Sequence, residues 1–501
     1  MITLSAIGIG GYIGIAVGGI VLILLLSLII RAASKAVSQP TMEPIDYPEL
    51  DKKVIGEHLS EALRFETISM VDAYKGKDEP FLAFREWMLK TYPHVAKEAE
   101  LTVIAGYSLV FCLKGSDPDL LPCAFLSHQD VVPAPAKGWD YPPFSGAMGE
   151  DGYIYGRGAL DMKDHLVAVL EGAEYWLSRG KHFERTTYLC FGHDEEPGQS
   201  LDGAPNIVRY FQQQGVRLEF VLDEGGSIIE GKQLFAKGYV AAIGATEKGM
   251  GDLEIVVHQE GGHSSRPMYP SANGILADVI RRIEKHPMRA RMTPLLKQTF
   301  VTLSGATNPL FKFVLANADV FAPLLKVVLS KASPVTNALV RTTLATTVLW
   351  GSDARNTIAN EVKVNVNFRT LSGETSADVV KHLNKILKKY IKTGQVRIDL
   401  LAHSEPSPES RCDGEVFDTL TKSIRQTFEE TTVIPYVFLG ATDSRFYAPI
   451  CDRIYRFGPV VMGWDDESRF HGINERIHPD KLARAVRFFV TYMDNACHAV
   501  D

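Results

Sequence analysis

Twenty-four consecutive residues near the N-terminus, Ile7 to Ile30 (IGIGGYIGIAVGGIVLILLLSLII), carry no charge. A run this long and this apolar has no place on the surface of a soluble domain, and it exceeds an ordinary core helix. As an α-helix it measures roughly 36 Å, enough to cross a hydrocarbon layer of about 30 Å with some tilt. A cleaved signal peptide is the competing reading, and it calls for a basic leading region and a shorter apolar stretch. Met1 to Ala6 hold no Lys or Arg, although Ala32-Ala33-Ser34 offers a cleavage site. The expectation is a single-pass anchor over residues 1–35, with secretion after cleavage as the alternative. Arg31 and Lys35 follow the run, which by the positive-inside tendency puts the body in the cytoplasm; the absence of an N-x-S/T sequon adds little, and the side stays open.

The remainder reads as ordinary globular protein. Length alone suggests about three domains. Sixty acidic residues against 53 basic ones leave a net charge of −7, with no like-charged block, which excludes nucleic acid as a partner. Six cysteines without a CxxC pair exclude a disulfide scaffold, a thiolate zinc site and a redox dithiol.

Residues 36–50, with Pro40, Pro44 and Pro48, read as a linker. An amphipathic helix then begins near Asp51, and short apolar strands at 109–113, 124–126, 187–191 and 219–222 alternate with helices at 164–179 and 204–214. This rhythm predicts an α/β fold with a doubly wound, mostly parallel sheet over 51–246. From 247 the texture changes. Residues 252–259 alternate and 361–369 alternate strictly, with a helix at 271–285 between them, predicting an inserted α+β lid over 247–402. The first pattern resumes over 403–501.

Five polar clusters follow predicted strands or loops, and strand ends are where such a sheet displays function. They are His128 and Asp130 in LSHQDVV, Asp161 behind the turn glycines Gly156 and Gly158, Glu195 and Glu196 in GHDEEPG, Asp223 and Glu224 in LDEGG, and His471 in RFHGINE. Each has an ordinary explanation: a surface pair, a helix cap, a turn. Four such clusters within about a hundred residues exceed what turn chemistry needs. Imidazole and carboxylate without thiolate suit a divalent cation of the zinc kind, and two histidines with three carboxylates suit a pair sharing one carboxylate. A spare glutamate then serves as general base toward water.

The ordered series SHQDVVPA, GWDYPPFSG, IYGRGALDMK, GHDEEPG, LDEGG, GGHSSRP, GATDSRFY and RFHGINE resembles the M20 metallopeptidases, in particular their carboxypeptidase S branch. The resemblance runs over about residues 50–500. It implies two Zn2+ per subunit: His128, Asp161 and Asp223 on one, Asp161, Glu196 and His471 on the other. It also implies Asp130 orienting His128, Glu195 as general base, and His263 polarising the scissile carbonyl, from a neighbouring subunit in dimeric relatives. Arg445 and Asn356 would contact substrate, Arg445 through the substrate carboxylate, while Arg369 would either take that carboxylate instead or brace the lid. The reaction implied is cleavage, and in reverse formation, of the amide of N-acyl amino acids, N-fatty-acyl ones foremost; release of C-terminal residues from short peptides is the alternative. The chain departs from the branch in reading GATDSR for GGTDSR and NTIA for NVIP.

Residues 287–350 add apolar material with a helical stripe of Phe311, Val314, Leu315, Val320, Phe321 and Leu324. Lid core or a subunit interface is the ordinary reading. The sharper one is a tunnel for a long acyl chain, where fifteen methylenes at ~0.8 kcal/mol each gain about 12 kcal/mol before binding costs.

Overall fold

The computed structural model describes residues 9–36, 38–69, 78–197, 202–463 and 465–500, so Ile7 and Gly8 of the apolar run lie outside the described residues. A single helix, α1 (Ile9–Lys35), covers the rest of that run. Its side chains from Gly14 to Ile30 stand almost wholly exposed. Uncharged over this length and unburied by the protein, α1 is the one described helix long and apolar enough by itself to cross a membrane.

The linker is not slack. Gln39 donates to the Val433 carbonyl at 2.8 Å and accepts from the Val433 amide at 3.0 Å, and the Ile45 amide donates to Gln426. Then α2 (Lys52–Ala62) begins under an Asp51 cap that accepts from Lys53. Strands β1 (Glu100–Ile104), β2 (Ser108–Leu113) and β3 (Cys123–His128) follow, then α3 (Lys163–Leu177), β4 (Thr187–Gly192), α4 (Ala204–Gln213), β5 (Phe220–Asp223), β6 (Ile228–Glu230) and β7 (Tyr239–Glu247). Next come β8 (Gly249–His258), α5 (Ala272–Lys285), α6 (Pro294–Ser304), α7 (Pro309–Ala316), α8 (Ala318–Ala332), α9 (Pro334–Val340), β9 (Thr343–Trp350), β10 (Glu361–Thr370), α10 (Ser376–Ile386) and β11 (Val396–Ser404). The chain ends through α11 (Glu415–Thr427), β12 (Thr431–Phe438), β13 (Ile454–Arg456), β14 (Val461–Met462) and α12 (Pro479–Cys497).

The large sheet runs β1-β2-β4-β3-β5-β13-β7-β6-β14, with β12 parallel to β7. Its centre, β4-β3-β5-β13, is parallel, as the near-continuous apolar strands require when helices cover both faces. One face packs on α2, α3, α11 and α12, the other on α4. The lid is a four-stranded antiparallel sheet, β9-β10-β8-β11, with α5 and α10 on one face. Along β10 the burial alternates residue by residue, matching its sequence EVKVNVNFRT.

The apolar insert departs from expectation. Its helices start at Thr293-Pro294, Asn308-Pro309 and Ser333-Pro334, each a polar cap followed by a proline whose missing amide costs nothing there. They pack not on the lid but on the catalytic sheet, where Leu296, Phe300, Leu303, Leu315 and Leu325 join Val240 and Ile434. The stripe thus divides. Phe311, Val314, Leu315 and Phe321 turn into this core, while Val320 and Leu324 face outward.

Candidate active site

Three neighbouring parallel strands end side by side, and each delivers a donor at its carboxyl end. His128 closes β3, Glu195 and Glu196 follow β4, and Glu224 follows β5. Asp161 comes from the turn entering α3, and His471 from the loop before α12. That turn needs its glycines. Gly158 takes φ +92°, and a Cβ on Gly156 would come within 2.9 Å of Leu63.

Asp161 is the hub. Its Oδ1 lies 3.2 Å from His128 Nε2, and its Oδ2 lies 3.1 Å from His471 Nε2. Glu224 Oε1 is 3.6 Å from His128 Nε2, and Glu196 Oε2 is 2.9 Å from His471 Nε2. The donors form two triplets, His128–Asp161–Glu224 and Asp161–Glu196–His471, with each triplet's ligand atoms within 4.8 Å of one another. Glu196 Oε1 is buried without a protein partner among the described residues. One carboxylate offering an oxygen to each of two donor groups fits a pair of divalent cations. Nitrogen and carboxylate donors without sulfur fit zinc.

The electrostatics agree. Burial, reinforced by Asp161, raises the carboxyls of Glu196 and Glu224 above their usual range. Burial also raises Asp161, but hydrogen bonds from His128 and His471 outweigh it and hold that carboxyl low. His471, beside Asp161 and Glu196, is pushed up to about 10. A buried cluster of acids leaning on two imidazoles for positive charge is a field that a cation satisfies.

Asp223 ends β5 beside the cluster. Its oxygens accept the backbone amides of Glu224 and Ser444, each at 2.9 Å, and it belongs to neither triplet. The side chain one residue on reaches the cluster, because successive residues leaving a strand point opposite ways. Asp130 also does more than expected. The nearer partner of His128 Nδ1 is the Asp130 main-chain carbonyl at 2.9 Å, with the carboxylate at 3.4 Å. That carboxylate, wholly buried, accepts from Ser69 and from the amides of Glu195 (3.3 Å) and Glu196 (3.1 Å), setting the glutamate loop.

Glu195 sits in this loop, where burial, with Asp443, Glu196 and Asp161 nearby, holds its carboxyl well above the usual range. A carboxylate that prefers a proton is suited to taking one from water. Asp443 approaches so closely that a Cβ on Gly192 would meet its Oδ2 at 2.4 Å.

Arg369 and Arg445 lie 3.6 Å and 3.5 Å from the Met250 sulfur, one from β10 and one from the 443–447 turn. Burial lowers the Arg369 guanidinium, and Arg445 lowers it further. Two convergent cations at a domain junction suit an anion. His263 and Asn356 stand elsewhere on the lid, both exposed, with the Ser264 amide donating to the Asn356 carbonyl. The His263 ring lies 2.8 Å from the Ser265 hydroxyl.

Two residues escaped the sequence reading although both lie inside its motifs. Glu475 is fully buried and accepts the amides of Gly158, Leu160 and Asp161 as well as Arg157. Arg157 in turn donates to the carbonyls of His471 (3.2 Å) and Gly472 (3.0 Å). This pair ties the Asp161 turn to the His471 loop.

The model for peptidase family M20/M25/M40 matches residues 124–495. The chain is 36% identical over 452 residues to N-fatty-acyl-amino acid synthase/hydrolase PM20D1 of Xenopus tropicalis, covering 89% of this chain and 87% of that protein. It is 28% identical to carboxypeptidase S of Saccharomyces cerevisiae, covering 88% and 83%. Among solved structures, the M20 family metallo-carboxypeptidase Sso-CP2 from Sulfolobus solfataricus shares the fold at TM-score 0.62 and 19% identity, covering 88% of this chain and 98% of that one. The chain therefore belongs to peptidase family M20/M25/M40, in its carboxypeptidase S branch, and is a metal-dependent hydrolase of amide bonds.

Proposed function

We propose that the chain is a dinuclear zinc amidohydrolase that cleaves, and in reverse forms, the amide of N-acyl amino acids, N-fatty-acyl ones foremost. The observation that carries the reading is Asp161, whose two oxygens face two separate histidine–carboxylate groups with Glu195 beside them. His128, Asp161 and Glu224 would hold one ion, and Asp161, Glu196 and His471 the other. Bound metal supplies Lewis acidity, which acidifies water and polarises the amide carbonyl.

The chain's own residues do the rest. The Glu195 carboxylate takes a proton from the attacking water and delivers it to the leaving amine nitrogen. Asp130 holds the Glu195 amide, so the base keeps its aim. Arg369 and Arg445 receive the carboxylate of the amino acid, which orients the scissile amide toward Glu195. His263, with Asn356, would come to the carbonyl oxygen by lid closure or from a second subunit. α1 would hold the enzyme at a membrane, where lipid-tailed amides collect.

The similarity to PM20D1 supports the acyl amino acid reading, and the similarity to carboxypeptidase S keeps the short-peptide reading as second. With the full chain and zinc supplied, oleoyl-phenylalanine is expected to be hydrolysed faster than a dipeptide ending in phenylalanine. Glu195→Gln should lower both rates by roughly 10²–10⁴. Preference for the dipeptide would select the carboxypeptidase reading, and an active Glu195→Gln would remove the assigned base.

A further inference from the structure

Helix α8 shows its apolar side to the outside. Its exposed positions recur at helical spacing, and after Asp319 they are Val320, Pro323, Leu324, Val327 and Val328, with Lys331 and Ala332 closing the face. Four of these valines and leucines are between 50% and 55% exposed. A helix resting on a core normally turns polar residues outward, and a contiguous apolar face marks a partner. Alongside, an open groove sets Arg289, Lys326 and Lys331 against Pro323 and Val327.

The attachment of α1 says what covers this face. Asn317, at the start of α8, donates to the Leu28 carbonyl at 3.1 Å. Arg31 pairs with Asp319 at 2.6 Å, with Lys35 and Lys297 around the same carboxylate. Ala32 and Ala36 are buried against Ala316 and Phe313. Arg31 is the first charge after the apolar run, and Leu28 precedes it by about 4.5 Å of helix rise. A bilayer spanned by α1 therefore ends at the level where α8 begins. Asp319, the residue Arg31 reaches, lies on the same face as Val320 and Pro323, so the apolar stripe starts at that boundary. Cations beside an apolar stripe match anionic headgroups above acyl chains.

We propose that the outward face of α8 lies in the interfacial layer of the membrane that α1 spans, its stripe among the acyl chains and its groove cations on anionic lipid headgroups. The catalytic body is then held at the bilayer in one orientation by two elements instead of swinging on one. This inference rests on the reading of α1 as an uncleaved span.

The test uses the full chain carrying either Val327→Trp or Leu26→Trp, reconstituted into vesicles of phosphatidylcholine and phosphatidylserine with or without dibrominated acyl chains. Wild-type emission from its five tryptophans is the reference. The expected result is loss of most of the added emission from both variants in brominated vesicles, with the Val327→Trp loss shrinking when phosphatidylserine is left out. Leu324→Glu with Val328→Glu should abolish that loss while leaving the thermal transition in place. Quenching of Leu26→Trp alone would overturn the inference and leave the anchor standing, with a second protein copy as the occupant to look for. Quenching of neither, with a mature N-terminus near Ala33, would overturn the anchor and the inference together.

Discussion

At the residue scale, the two neighbours Asp223 and Glu224 make different contacts. Asp223 ends β5 with its carboxylate committed to two backbone amides, while Glu224 turns its carboxylate to His128. Asp223→Asn should keep both metal positions and cost about 1–3 kcal/mol in denaturant unfolding, the range for disturbing buried hydrogen bonds. Glu224→Gln should leave the fold intact and lower metal content by one ion per chain, read by elemental analysis. The reverse pattern would assign the ligand role to Asp223. The sequence places both acids at the strand end, but which one faces the cluster depends on the strand's exit angle, which no local pattern encodes.

At the scale of elements, the site depends on two loops that the chain separates by some three hundred residues. Arg157 and Glu475, each at most 1% exposed, join them. Removing one member of a buried pair leaves an uncompensated charge, so Arg157→Met should cost about 3–5 kcal/mol. It should also weaken metal binding, since the amide of Asp161 and the carbonyl of His471 hang on this pair. A variant with wild-type unfolding and unchanged metal affinity would show the pair to be dispensable. Nothing in RGALD or GINE singles these residues out beforehand, because an arginine and a glutamate are surface residues until tertiary structure buries them together.

At the scale of the whole molecule, the proposed metal centre would also cross-link Asp161 and Glu196 to His471, far away in the chain. Chelation should therefore lower Tm, and the loss should deepen with pH. Asp161 and Glu196 push the His471 imidazole up to about 10 in the folded, metal-free chain, against an ordinary value of about 6.5. A folded pKa above the unfolded one means that this charge stabilises fully below about 6.5 and ceases to as pH rises through about 10. After chelation the protonated ring substitutes for the cation in acid and fails in alkali. Thermal scans of chelated and zinc-loaded protein from about pH 6.5 to about 9 check this, and a gap that narrows with pH would refute it. Much of this architecture was legible beforehand. The uncharged run, the alternation of strand and helix, the switch to alternating strands at 252–259 and 361–369, and the acid and histidine positions all rest on local periodicity and chemistry, which the chain carries wherever it goes. Tertiary structure decided what depends on remote partners: which of the adjacent Asp223 and Glu224 side chains approaches His128, the buried Arg157–Glu475 tie, and the placement of α6 to α9 on the catalytic sheet. It also turned one half of an apolar stripe into core and the other half outward. Hydrophobicity declares that a face must be covered, and only the packed chain shows by what.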